Sequence, residues 1–322
     1  MAAGVVLAVA YLSATTPPLA PPLGLDVFMP VPADNPLTEQ KVALGKRLFL
    51  DPLLSRDRSV SCATCHLPER AFTDDLPTAK GVFGRNGTRR VPKLINRGYG
   101  QSFFWDGRIS TLEEQVLQPV INSLEMDLTL AEAVDRLRAD DDYVREFTAV
   151  FGKEPSQDDL GRALASYVRT ILSGDSSYDR YVAGDASALN EQQKLGLEVF
   201  RNKGNCVTCH LGPNLTDERF HNTGVGYEDG SFVDEGRFIV TKREKDRGAF
   251  KTPTLRDVAL TPPYMHDGSL ENLEDVVDEY DEGGTANPSL DREMGKLDLS
   301  DGEKAALVAF LKTLTGKLQH GL

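Results

Sequence analysis

Apolar residues recur at helical spacing in two stretches far apart in the chain. In SQDDLGRALASYVRTILSG they are Leu160, Leu164, Tyr167, Val168 and Ile171; in SDGEKAALVAFLKTLTG they are Leu307, Phe310, Leu311 and Leu314. Each stretch opens on the S-x-x-[DE] form of a capped helix, Ser156 with Asp159 and Ser300 with Glu303. Asp159 is the weaker capping-box partner, because its shorter side chain reaches back less well. Upstream lies a second matched pair, ALGKRLF (Ala43 to Phe49) and KLGLEVF (Lys194 to Phe200). The chain therefore reads as one unit written twice: a helix, a short motif, a long loop region and a closing helix. Strand-like stretches are few and short, and GRFIVTK (236–242) is the best candidate.

These patterns predict a mainly α fold with long irregular Gly- and Pro-rich connections. The boundary falls in GDSSYDRYVAGDASALN, giving an N-terminal domain over 37–180 and a C-terminal domain over 181–322. Residues 1–36 read as a signal-like segment followed by an extended Pro-rich tether. The apolar run Ala2 to Ala14 is too short to span a bilayer and lacks the basic start of a secretory signal. Folded structure is expected to begin near Leu37.

Between the helices of each unit stands a C-x-x-C-H motif: Cys62, Cys65 and His66 in one, Cys206, Cys209 and His210 in the other. They use all four cysteines, so no thiol remains for a disulfide framework. Two thiols three positions apart on a helical turn can reach the two vinyl groups of one porphyrin, and the next histidine then meets the iron. That is the c-type haem attachment signature. Zinc-binding pairs lie about 15–20 residues apart, far closer than these, and a redox dithiol needs no histidine beside it. The duplication predicts two covalent haems, with His66 and His210 as iron ligands, and maturation in the periplasm or an equivalent compartment.

Composition narrows the partners. The chain has 322 residues, 40% apolar and 26% charged, with a net charge of −13. That charge opposes binding to nucleic acid or to an anionic membrane surface, and suits a basic or dipolar protein partner.

The far face of each iron decides between electron transfer and chemistry. No histidine or methionine lies between His66 and Trp105, so the first haem is expected to have an open face. The segment FFWDGRISTLEEQVLQPVINSLEM (Phe103 to Met126) is the candidate cover. Leu112, Val116 and Val120 mark one helical face, and Pro119 should end or kink that helix. Glu125 follows the kink. It could move a proton between peroxide oxygens, and Gln115 could hydrogen-bond bound oxygen or water; both could equally be solvated polar groups. In SLENLEDVVDEY, Leu273, Val276, Val277 and Tyr280 share a face, a spacing that also suits plain core packing. His221 is expected to bond a propionate or backbone, His266 to be structural, and His320 to lie in a frayed tail.

The chain resembles the bacterial di-haem cytochrome c peroxidases and the related MauG-type enzymes. The resemblance covers about Leu37 to Gly316 and is carried by GKRLFLDPLLSRDRSVSCATCH, by the Phe103 to Met126 segment and by TPTLRDVALTPPYMHDGSLENLEDVVDEYDEGG. It implies two cytochrome c-like domains and an enzyme. Trp105 would relay electrons between the haems; Gln115, Pro119 and Glu125 would form the distal pocket of haem 1, with Glu125 assisting peroxide cleavage. Tyr280 stands where the peroxidase branch has a ligating methionine, as in MauG-like members, with Met265 and Met294 as rival ligands. An anionic oxygen ligand favours iron in high oxidation states, and axial ligands move haem potentials over about 0.8 V. Two oxidising equivalents from peroxide would then be shared between the irons through Trp105. The family often holds calcium between the haems. The carbonyls of Thr261 and Pro263 match that site, but Arg90 replaces its asparagine and only donates hydrogen bonds. Calcium is thus left in doubt, with Asn96 or waters as substitutes. The expected reaction is MauG-type oxidation of a Trp or Tyr on a protein partner by hydrogen peroxide. The alternatives are reduction of peroxide with electrons from a small cytochrome or copper protein, and a plain di-haem electron carrier.

Overall fold

The computed structural model describes residues 19–321; the signal-like run Ala2 to Ala14 lies outside the described residues. Four helices carry the duplication. Glu39–Leu50 packs on Gln157–Arg169, and Glu191–Arg201 packs on Asp301–Lys312. Each pair crosses at a glycine from the matched heptapeptides. A Cβ on Gly45 would fall 2.0 Å from the Ala163 carbonyl oxygen, and one on Gly196 would fall 1.9 Å from the Ala306 carbonyl oxygen. Only glycine permits that approach of backbone to backbone.

All the apolar residues read as helix faces in the two closing helices are buried, as are Leu112, Val116 and Val120. They belong to two hydrophobic clusters, one running from Val42 to Ile171 and the other from Leu189 to Leu314. Full burial of one such side chain is worth roughly 1.5–3 kcal/mol, so these clusters dominate the folding energy. The caps behave as their chemistry dictates. Ser300 and Glu303 form a reciprocal capping box, with the Ser300 N–H donating to Glu303 at 2.8 Å. Ser156 accepts from the Asp159 N–H, but the Asp159 carboxylate takes the Ser156 hydroxyl at 2.5 Å instead of the backbone N–H.

The structure corrects three expectations. GRFIVTK is not a strand: Phe238–Thr241 is a single helical turn. The true strands are two- and three-residue pairings. The C-terminal tail is not frayed, because Lys317–Gln319 pairs antiparallel with Leu172–Gly174 and the His320 ring packs edge-on against Phe72 and Tyr167. Order also begins before Leu37. Leu25 and Asn35 are buried, Asn35 donates to Glu113 at 2.7 Å, and the Gly24 carbonyl accepts from Arg256 at 2.7 Å.

The repetition reaches further than the motifs. Val91-Pro92-Lys93-Leu94 has its counterpart in Thr252-Pro253-Thr254-Leu255. Phe103 to Ile109 closes a turn by an antiparallel bridge, and Tyr264 to Leu270 closes the same turn. Phe104 and Met265 share a left-handed backbone there, with φ of 66° and 70°. The two units exchange a reciprocal pair of backbone hydrogen bonds: the Arg90 N–H donates to the His266 carbonyl and the Lys251 N–H to the Trp105 carbonyl, both at 2.8 Å. Ion pairs flank this seam. Arg89 joins Asp234 at 2.6 Å, Arg97 joins Glu218 at 2.7 Å and Arg256 joins Asp179 at 2.8 Å.

Candidate functional site

Both C-x-x-C-H motifs are held as a single turn. The His66 N–H donates to the Cys62 carbonyl at 3.0 Å and the His210 N–H to the Cys206 carbonyl at 2.9 Å. The first turn is capped by Ser61 and Thr64; the second, Cys206–Thr208, starts from Asn205 in a left-handed conformation. Each histidine then fixes its own ring. His66 Nδ1 lies 2.7 Å from the Phe72 carbonyl and His210 Nδ1 lies 3.0 Å from the Leu215 carbonyl. A carbonyl can only accept, so Nδ1 carries the proton and Nε2 is left with its lone pair. Burial lowers both histidine pKa values to about 4, which keeps the rings neutral. The four cysteines are unpaired, and burial pushes Cys62, Cys65 and Cys206 up to about 12. Those three are therefore not the pre-ionised thiolates of a redox dithiol.

The second motif opens on a largely apolar cavity. Cys206, Cys209, His210, Phe200, Val277 and Tyr280 line it, together with Met265, His266 and Met294. Two thiols, a neutral imidazole and an apolar wall fit a covalently held haem. Burial raises the Tyr280 phenol well above its usual pKa, with the nearby Cys206 and Cys209 adding to the effect. Among the described residues its hydroxyl has no hydrogen-bond partner. Of its rivals, Met265 lines the same cavity from a left-handed backbone and the Met294 methyl packs beside Gly284; the His266 ring stacks on Phe250 with centroids 3.6 Å apart.

At the first motif, Leu112–Gln115 and Gln118–Ile121 are separate short helices, with Pro119 near the start of the second. The chain breaks where the proline was expected to break it. Glu125 accepts from Asn122 at 2.6 Å; burial raises its carboxyl pKa, and its charge is felt at both Cys62 and Cys65. Gln115 and Trp105 face a second cavity between the units, which also meets Arg90, Lys93 and Lys251. Trp105 borders both cavities, and its indole N–H donates to the Arg90 carbonyl at 2.9 Å.

The suggested calcium ligands do not fit a metal. The Arg90 guanidinium donates to the Thr261 carbonyl at 3.2 Å and to the Pro262 carbonyl, not that of Pro263, at 3.1 Å. Asn96 is spent elsewhere, exchanging hydrogen bonds with Ser173 at 3.1 and 2.9 Å. His221 does not bond the backbone as expected: among the described residues its ring nitrogens meet the carboxylates of Asp291 at 2.6 Å and Asp217 at 2.9 Å. Cys209, Asp217 and His221 bring their ligand atoms within 4.8 Å of one another, a grouping that sequence spacing did not reveal. A Cys209 joined to haem would have no thiolate to offer a cation there.

Comparison with known proteins agrees with this geometry. Residues 39–187 match the family described as di-haem cytochrome c peroxidase. The methylamine utilization protein MauG of Methylorubrum extorquens is 42% identical over 288 residues, covering 89% of this chain and 81% of that protein. The cytochrome c551 peroxidase of Pseudomonas aeruginosa is 37% identical, over 90% of this chain and 85% of its own. Among solved structures, a MauG-like protein associated with microbial copper homeostasis superposes with a TM-score of 0.85 at 36% identity, covering 94% and 95% of the two chains. The diheme peroxidase BthA from Burkholderia thailandensis superposes with a TM-score of 0.76 at 26% identity, over 87% of each chain. The mainly α fold is that of the di-haem peroxidases. This chain belongs to the di-haem cytochrome c peroxidase and MauG family, and it is an oxidoreductase of peroxidase type. Among the described residues, no helix is long and apolar enough to cross a membrane.

Proposed function

We propose that the chain is a MauG-type enzyme that uses hydrogen peroxide to oxidise a tryptophan or tyrosine of a protein partner at a distance. In this reading residues 37–180 and 181–322 are two cytochrome c-like domains. Cys62 and Cys65 tether one haem and Cys206 and Cys209 the other, with His66 and His210 ligating through Nε2. Maturation of such a protein places it in the periplasm. Bound haem iron would supply peroxide activation and the redox chemistry.

The protein groups divide the remaining work. Glu125, held by Asn122 and biased towards its protonated form by burial, takes and returns the peroxide proton. Gln115 orients bound oxygen or water, and Pro119 ends the helix that would otherwise cover the open face. Trp105, bordering both cavities, carries electrons between the units. Electron removal at a distance needs no substrate pocket. It needs a docking surface, and the net charge of −13 favours a basic protein.

One observation carries the MauG-type reading over a peroxidase: Tyr280 lines the cavity of the second motif, and among the described residues its hydroxyl has no hydrogen-bond partner. A phenolate ligand opposes reduction of iron and so disfavours electron entry at that haem. The alternative, peroxide reduction with electrons from a small cytochrome or copper protein, draws support from Met265 and Met294 in the same cavity. Tyr280→Met separates the two. The variant is expected to raise the haem 2 potential and to abolish peroxide-driven modification of a basic partner, read as a mass change on its Trp or Tyr residues. A parent protein that steadily consumes reduced cytochrome c without marking any partner, and a variant with the parent's potential, would establish the peroxidase reading instead.

A further inference from the structure

Of the two carbonyls expected to hold a cation between the units, that of Thr261 accepts from a side chain instead, together with those of Pro262, Asp74 and Leu76. Arg90 is 5% exposed, as is Asp74. Its Nη1 donates to the Leu76 carbonyl at 2.6 Å, and its Nη2 reaches the Asp74, Thr261 and Pro262 carbonyls at 2.8, 3.2 and 3.1 Å. The Asp74 carboxylate lies 3.7 Å away and balances the charge. Leu76 and Asp74 follow the first haem motif, whereas Thr261 and Pro262 belong to the second unit. One planar group therefore ties carbonyls of both. A calcium ion needs six to eight oxygen ligands at about 2.3–2.6 Å, and it would be repelled by a guanidinium already bonded to the same oxygens. The fork of N–H donors satisfies these carbonyls by direction, where a metal would do so by charge density.

The backbone of the same residue completes the join. Its carbonyl accepts the Trp105 indole N–H at 2.9 Å and its N–H donates to the His266 carbonyl at 2.8 Å. We propose that the Arg90 guanidinium is a built-in replacement for the inter-unit cation, fixing the seam and the setting of Trp105 so that the enzyme works without calcium. Arg90 acts here as a positioning residue. The inference does not depend on which ligand binds the second iron.

The test uses the mature holoprotein. After dialysis against EDTA it should hold no stoichiometric calcium by elemental analysis, and calcium added back should leave its Tm, resting haem spectrum and reaction with peroxide unchanged. A retained calcium, or a chelator-induced loss that calcium reverses, would overturn the proposal. Arg90→Ala should lower Tm by about 5–10 °C and disturb the resting spectrum. Guanidinium ion at sub-denaturing concentration should restore part of both losses, whereas sodium at equal ionic strength should not. Parent-like behaviour of the variant, or an equal response to both cations, would overturn the proposal. If that variant fails to fold, the chelation arm decides alone.

Discussion

Around His66 and around His210 the chain builds the same frame, then covers it differently. Both motifs are one turn, both histidines donate Nδ1–H to a carbonyl a few residues on, and both units cross their helices at a glycine. The covering helices begin in register at Leu112 and Leu273. The same number of positions later, one unit has Pro119 and the other has Tyr280. In the first, the helix breaks and the chain turns to present Glu125. In the second it continues unbroken to Glu282, and Tyr280 faces the cavity. The two turns that meet at the seam diverge likewise: Trp105 in one occupies the place of His266 in the other. Duplication thus built the same frame twice, and on the proposed function the chemistry is divided by what faces each frame.

The largest expected effect tests the first cover. Glu125→Gln should slow the initial reaction with peroxide by about 10²–10⁴-fold, the usual worth of a positioned acid–base group. The absorption of the second haem should be nearly unchanged. Stopped-flow mixing with peroxide measures both, and equal disturbance of the two haems would remove the division of labour.

The shared frame gives the next effect. Gly45→Val and Gly196→Val each force a side chain into an opposing carbonyl, so each should destabilise by about 3 kcal/mol. Denaturant unfolding followed by far-UV circular dichroism tests the pair. Tolerance of one but not the other would show that the crossings are not equivalent.

A third prediction contrasts matched acids after the motifs. The Asp75 side chain is 60% exposed beside Arg70, whereas Glu218 is 10% exposed between Arg97 and Lys251. Burial alone would raise the Glu218 pKa, but Arg97 and Lys251 outweigh it and hold the group at about 2. Because the folded value lies below the unfolded one, its stabilisation is complete above pH ~4.5 and fades as pH falls towards ~2, by up to about 3 kcal/mol. Glu218→Gln should flatten the stability curve in that window, while Asp75→Asn should leave it as in the parent. Acid unfolding of the three proteins decides.

The smallest effect concerns the closing helices. Ser300→Ala removes a reciprocal capping box and should cost about 1 kcal/mol. Ser156→Ala removes a one-sided cap and should cost less. Thermal melts that rank them in reverse would contradict the reading of Asp159 as the poorer partner.

Much of this was legible in residue order because it depends on local chemistry. Two C-x-x-C-H motifs, two capped helices and the proline break each follow from spacing or from a missing N–H. The deeper repeat, from Val91-Pro92 and Thr252-Pro253 to the two turns closed by Asp106-Gly107 and Asp267-Gly268, was also written there. Its dissimilar residues, tryptophan against histidine and proline against tyrosine, hid it. GRFIVTK does not form a strand because β-branched residues suit strands only when a neighbouring strand exists, and among the described residues none pairs with Ile239 or Val240.

The sequence by itself determined the anchors, the capped closing helices and the family, since each rests on short motifs and on spacing between residues near in the chain. Tertiary structure decided what meets across the seam. That His320 packs against Tyr167, that His221 reaches Asp291, and that Arg90 donates to the Thr261 carbonyl where a metal was expected are long-range facts. No periodicity encodes them. A buried guanidinium takes whichever carbonyls the fold brings within reach, and only the assembled units place those of Thr261 and Pro262 beside those of Asp74 and Leu76.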